Sequence, residues 1–175
     1  MTKQYAIRVA GDGLRFSAAH FITFASGQVE PLHGHDYHVA AELEAPLGPH
    51  GYTIDFLAVD RILKDLLNEL DHRTLLPQRH PSLTVDIRAT EIELSLGSRR
   101  WLLPREDCVL LPVENTTSEA LAGYLAERLS DKLAAQSPHL PTTLRIHLTE
   151  SNGFTATCTL KRVPCREPSE ANPQG

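Results

Sequence analysis

"EPLHGHDYHVAAELEA", residues 30–45, is written largely in steps of two. From Tyr37 onward, Tyr37, Val39, Ala41 and Leu43 alternate with polar or small partners, the period of a strand with one buried face. Ahead of them, His33 and His35 stand two apart. Their imidazoles project to the same side of such a strand, and His38 points to the other. Gly34 leaves room between the two imidazoles, where a side chain would crowd the opposite face. The stretch therefore reads as a strand that begins with two potential metal ligands, and "GPHG" (48–51) breaks the chain after it.

On either side the periods separate cleanly. "YAIRVAGDGLRFSAAHFI" (5–22) carries β-compatible segments. "TIDFLAVDRILKDLLNELDH" (53–72) repeats Phe56, Val59, Ile62, Leu63, Leu66, Leu67 and Leu70 at three- and four-residue spacing. That is an amphipathic helix, with Asp55 as its N-cap. "TSEALAGYLAERLSDKLAAQ" (117–136) predicts a second helix, capped by Thr117 or Ser118, with a stripe of Leu121, Leu125, Leu129 and Leu133. "TTLRIHLTE" and "FTATCTLKRV" flank the turn "SNG" and predict a closing hairpin. The order ββ-α-α-ββ predicts an α+β domain, a four-stranded antiparallel sheet covered on one face by two helices. A segment of about 77–113 is inserted between the helices, and within it "EIELSLGSRRWLLP" predicts a hairpin around Gly97. Residues 1–163 read as one domain. The polar, proline-containing stretch 164–175 reads as disordered.

The totals exclude some functions. With 175 residues and a formal net charge of −5, the chain lacks the basic stripe of a general nucleic-acid binder. No apolar run approaches the ~20 residues of a membrane span, and the N-terminus has no signal-peptide core. Cys108, Cys158 and Cys165 are widely spaced and odd in number, as free thiols in a reducing cytoplasm would be.

A His-x-His pair can share a zinc ion, and His20, on the preceding strand, is placed to be a third ligand. Three histidines leave a fourth position open, the arrangement of a catalytic zinc. An isolated His-x-His is more often chance or surface decoration than a metal site. Asp71 beside His72 can fix a tautomer for proton exchange, or can simply close a helix. His38, His50, His80, His139 and His147 read as surface or strand-face residues.

Four short matches in order, "FSAAH", "HGHDYHV", "LDHRTL" and "NTTSEALA", followed by a late strand ending in Glu150, resemble the 6-pyruvoyl-tetrahydropterin synthase and 6-carboxy-tetrahydropterin synthase family. The resemblance runs from about Tyr5 to Arg162, with the segment 77–113 longer than expected. It implies the tunnelling fold, in which ββααββ units form rings, as a trimer or two stacked trimers with active sites at subunit interfaces. It implies Zn2+ bound by His20, His33 and His35, and proton transfer by Asp71 and His72. It also implies a pterin held by Glu150 and by Thr116 and Thr117. A carboxylate suits this anchoring role, because it accepts two parallel hydrogen bonds from the 2-amino group and ring N–H. Glu119 is expected only as a capping-box partner.

The family's cysteine, a few residues before His-Gly-His, is missing from "GQVEPLHGH". Instead Glu30 gives a Glu-x-x-His-Gly-His pattern, which resembles a branch that cleaves the side chain of 7,8-dihydroneopterin triphosphate to 6-hydroxymethyl-7,8-dihydropterin. A carboxylate removes a hydroxyl proton more readily than a carbon-bound one, so Glu30 suits cleavage better than isomerisation. The alternatives are a 6-carboxy-tetrahydropterin synthase on the route to queuosine, with Glu30 or Cys108 standing in for the thiol, and a metal- and pterin-binding homologue recruited to another pterin pathway or without turnover. Cys108, among apolar residues, reads as a buried structural thiol. Arg15, Arg99, Arg100, Arg105 and Lys161 are candidate triphosphate contacts.

Overall fold

The computed structural model describes residues 3–137, 139–151 and 153–162. The stretch 164–175, expected to be disordered, and Cys165 lie outside them. The 17-residue strand β3 (Val29–Ala45) is the spine of the main sheet. One of its edges pairs antiparallel with β1 (Tyr5–Val9) and with β2 (Arg15–Thr23). Its other edge pairs antiparallel with β9 (Thr143–Thr149), which forms a hairpin with β10 (Thr155–Lys161). The expected antiparallel quartet is therefore β2-β3-β9-β10.

The sheet is wider than the sequence predicts, seven strands rather than four. β4 (Arg73–Pro77) lies parallel to β2, and β8 (Cys108–Leu111) lies parallel to β4. Both strands are short apolar runs without alternation, and their partners are far away in sequence. Neither period nor turn chemistry announces them. Between them the inserted segment folds into a separate antiparallel sheet of β5 (Thr84–Ile87), β6 (Glu91–Leu96) and β7 (Arg99–Pro104). The hairpin expected around Gly97 is its β6–β7 turn, where φ of 59° suits a residue without Cβ.

Helix α1 (Phe56–Asn68) begins where the Asp55 carboxylate accepts the Leu57 N–H at 2.9 Å. Val59, Ile62, Leu63, Leu66 and Leu67 face the sheet as the period requires, whereas Phe56, counted in the same stripe, is exposed. Helix α2 (Ser118–Gln136) buries Leu121, Leu125, Leu129 and Leu133. These stripes pack on Val39, Ala41 and Leu43 of β3 and Leu144, Ile146 and Leu148 of β9. Each fully buried leucine contributes roughly 1.5–3 kcal/mol, so this interface holds the two helices against the sheet. A second, smaller core of Phe21, Leu76, Ile92 and Leu94 joins the inserted sheet to the main one.

Candidate metal centre and active site

Strand pairing assembles the histidines. His20 lies directly opposite His33, and Ala18 opposite His35, so three imidazoles share one face of the β2–β3 ladder. Their ligand atoms lie within 4.8 Å of one another. Gly34 sits between them because a Cβ there would come 3.3 Å from the Ala18 carbonyl oxygen on the neighbouring strand. Backbone carbonyls orient two of the rings. His20 Nδ1 donates to Thr116 O at 2.7 Å, and His33 Nδ1 donates to Pro31 O at 2.7 Å. A carbonyl can only accept, so Nδ1 carries the proton and the Nε2 lone pair is left for a metal. His35 Nδ1 lies 3.4 Å from Ser151 Oγ. Burial pushes the His20 pKa down, which favours the neutral form that a metal requires. Three clustered imidazoles, two of them with the tautomer fixed by a carbonyl, fit a zinc ion that keeps an open position.

The position of Glu30 depends on a bulge. A regular strand would put Glu30, three residues before His33, on the opposite face. The pairing instead steps from His20↔His33 to Ile22↔Glu30, so that Pro31 and Leu32 together oppose Phe21 alone. That extra residue reverses the parity of the strand. Glu30 Oε1 then comes 3.5 Å from His33 Nε2, on the face that carries the three histidines.

Glu30 opens onto a cavity of about 370 Å³ lined also by Ile22, Phe24, Thr117, Ser118, Glu119, Glu150 and Phe154. At the end of the β9–β10 hairpin, Glu150 accepts a hydrogen bond from the Ser118 hydroxyl. Thr117 caps α2 by accepting the Ala120 N–H at 3.3 Å. The third helical position is thus an alanine, and Glu119 is no capping-box partner. It lines the cavity instead. Thr116, expected beside the pterin, turns inward. It is fully buried, and its hydroxyl donates to Phe21 O at 2.7 Å. Its carbonyl is the one that orients His20.

Asp71 and His72 lie elsewhere. They follow α1, where His72 adopts φ of 57° and its N–H donates to Ser17 O at 2.7 Å. Asp71 accepts the Ser17 N–H at 2.8 Å and the His72 ring nitrogen at 2.9 Å, and the first of these bonds chiefly holds its carboxyl below the usual range. The His72 side chain is 82% exposed. It borders a groove of about 550 Å³ with Ser17, Gly34, His35, Asp36, Arg73 and Asp107, which does not include Glu30. Within one chain the dyad and Glu30 are therefore not brought together. Cys108 belongs to the small second core, where burial pushes its thiol up. No cysteine, lysine or arginine lines the Glu30 cavity among the described residues. Arg100 is paired with Glu93, and Arg105 donates to the Arg88 carbonyl.

Comparison with known proteins agrees with this geometry. The sequence model of the family described as "6-pyruvoyl tetrahydropterin synthase" matches residues 12–161. The chain belongs to that family. A Methanocaldococcus jannaschii protein, named as a candidate 6-carboxy-5,6,7,8-tetrahydropterin synthase, is 35% identical over 122 residues, covering 69% of this chain and 74% of its own. A dihydroneopterin monophosphate aldolase of Pyrococcus furiosus is 35% identical over 60 residues, 34% of this chain and 50% of its own. The Plasmodium falciparum 6-pyruvoyl tetrahydropterin synthase superposes with a TM-score of 0.85 at 24% identity, over 92% of this chain and 100% of its own. A Plasmodium vivax 6-pyruvoyltetrahydropterin synthase, in a variant whose catalytic glutamate is replaced by alanine, gives 0.84 at 24% over the same shares. These two likenesses concern the fold.

As a member of the tetrahydropterin synthase family, the chain is an enzyme, and the β2–β3 ladder with its histidine triad is the candidate site. Sequence reasoning missed two contributors to it. Ser118, weighed only as a cap, holds the Glu150 carboxylate. Tyr37, counted as an apolar strand residue, brings its hydroxyl 3.3 Å from His20 Nε2. Its period of two with His33 and His35 was a signal for the latter.

Proposed function

We propose that the chain is a zinc-dependent lyase that cleaves the C6 side chain of 7,8-dihydroneopterin triphosphate or a close relative. The observation that carries this reading is the bulge that brings Glu30 beside His33, in a cavity that has carboxylates and no thiol. When held by His20, His33 and His35, Zn2+ would polarise the side-chain hydroxyls and make their protons easier to remove. Glu150, steadied by Ser118, accepts hydrogen bonds from the 2-amino group and ring N–H of the pterin. A cavity with Glu30, Glu119 and Glu150 and no cation favours such a donor-rich edge. Glu30 takes the proton from the hydroxyl on the second side-chain carbon. The bond between the first and second carbons breaks, the second carbon leaves as an aldehyde bearing the phosphates, and the electron pair passes into the ring imine. Protonation of the first carbon gives the 6-hydroxymethyl product.

The Asp71–His72 dyad serves the site of a second copy in this reading, carrying the adjacent Arg73 as a counter-charge for phosphates. A ring, trimeric or doubled into a hexamer, supplies that copy. It also covers the open edges of β8 and β10, which would otherwise offer unpaired backbone groups. A 6-carboxy-tetrahydropterin synthase is the second reading, favoured by the names of the archaeal relatives. It asks the Glu30 carboxylate to do a thiol's work. Incubating the zinc-loaded protein with 7,8-dihydroneopterin triphosphate and separating the products decides between them. We expect 6-hydroxymethyl-7,8-dihydropterin. A 6-carboxy or 6-pyruvoyl product would overturn the cleavage to 6-hydroxymethyl-7,8-dihydropterin, and no product at all would leave a binding protein.

A further inference from the structure

The bulge that turns Glu30 toward the metal face is gripped from the other side of the sheet. Phe21, the single residue opposite Pro31 and Leu32, is buried on that side, and the Trp101 ring stacks on it with centroids 5.0 Å apart and planes 9° from parallel. Leu32 and Val29, which flank the Glu30–Pro31 step, pack in the same small core with Trp101, Leu103, Ile92 and Leu94 of the inserted sheet. The chain after that insert closes the grip. Asn115 donates to Thr23 O at 2.8 Å and accepts from Thr23 N at 3.3 Å, and Thr116 binds the Phe21 carbonyl. His20, Phe21 and Thr23 of β2 are thus each tied to the insert or its exit. A bulge is one of two registers open to a β-ladder, and the register chosen is the one whose side chains find packing partners.

We propose that the inserted sheet is a positioning element for the active site, and that Trp101, through its stack on Phe21, selects the bulged register that puts Glu30 beside the histidine triad. The proposal rests on Glu30 being the base, as argued above. Without the flat ring at 101, Phe21 loses its backing, Leu32 no longer has a fixed seat, and the ladder relaxes toward the regular register, with Glu30 rotating away from His33.

The test is a double-mutant cycle on the whole protein. Trp101→Leu keeps apolar volume without a flat ring, and Trp101→Phe keeps the ring. Each is made alone and with Glu30→Gln, and each is read by circular dichroism, metal content, turnover and the ligand-field spectrum of the Co2+-loaded protein. Trp101→Leu should lower kcat at least ~10-fold with KM little changed, and Trp101→Phe should restore most of it. In the Glu30→Gln background Trp101→Leu should cost nothing further, since both act through one carboxylate. The Co2+ spectrum should change in Trp101→Leu, because the His20–Phe21 backbone moves. Additive losses, or a folded Trp101→Leu with normal kcat and normal spectrum, would overturn the proposal. If Trp101→Leu does not fold, Leu32→Ala loosens the same bulge from the β3 side and is judged by the same criteria. If the unaltered protein turns over no pterin, the function fails separately, and the Co2+ spectra still decide whether Trp101 governs the triad.

Discussion

Thr116→Val separates two roles for a residue that the family resemblance places against the pterin. Valine has the shape of threonine, so packing in the fully buried position is kept. What disappears is the hydroxyl that donates to Phe21 O at 2.7 Å. A buried carbonyl left without its donor costs about 1–3 kcal/mol. At ~2–4 °C per kcal/mol for a chain of this size, the midpoint of thermal unfolding should fall by about 4–8 °C for a loss of about 2 kcal/mol. His20 is oriented by the Thr116 main-chain carbonyl, which the substitution leaves in place. One metal per chain and a KM close to that of the unaltered protein are therefore expected. Thermal melts at matched protein concentration, metal analysis and steady-state kinetics measure all three. A KM raised about tenfold or more, with no change in the melt, would mean that the hydroxyl reaches the substrate, since about 1.4 kcal/mol of lost binding is one decade. The inward orientation would then be wrong.

Other outcomes follow from the same geometry. Glu30→Gln should bind metal and pterin normally while turnover falls by ~10²–10⁴-fold, the usual loss for a general base, and full activity would remove Glu30 from the mechanism. His35→Ala should fold but lose stoichiometric metal, and chelation of the unaltered protein should reproduce its loss of activity; a variant that still holds one equivalent would refute the triad. Mixing inactive Glu30→Gln with inactive His72→Ala subunits should restore part of the activity, because some sites in a mixed ring pair an intact Glu30 with an intact dyad. Mixed rings that remain inactive would count against a dyad acting between copies.

Much of this molecule was legible from one-dimensional periods. Both helices, their caps at Asp55 and Thr117, the β9–β10 hairpin and the turn at Gly97 follow from short-range rules, because caps and turns are satisfied by neighbours in the chain. The histidine triad was legible too, since a strand puts His33 and His35 on one face and its antiparallel neighbour delivers His20. Other features depended on partners far away in sequence. Parallel pairing of β4 and β8 needs crossovers that leave no local mark. Thr116 turned inward because the Phe21 carbonyl, 95 positions away, needed a donor. Glu30 illustrates the division most sharply. The residue type and its nearness to His-Gly-His are in the sequence, but its side chain faces the histidine triad only because one extra residue is accommodated between His33 and Glu30. Periodicity cannot register that choice, because it is made by what packs behind the strand, here Phe21 against Trp101.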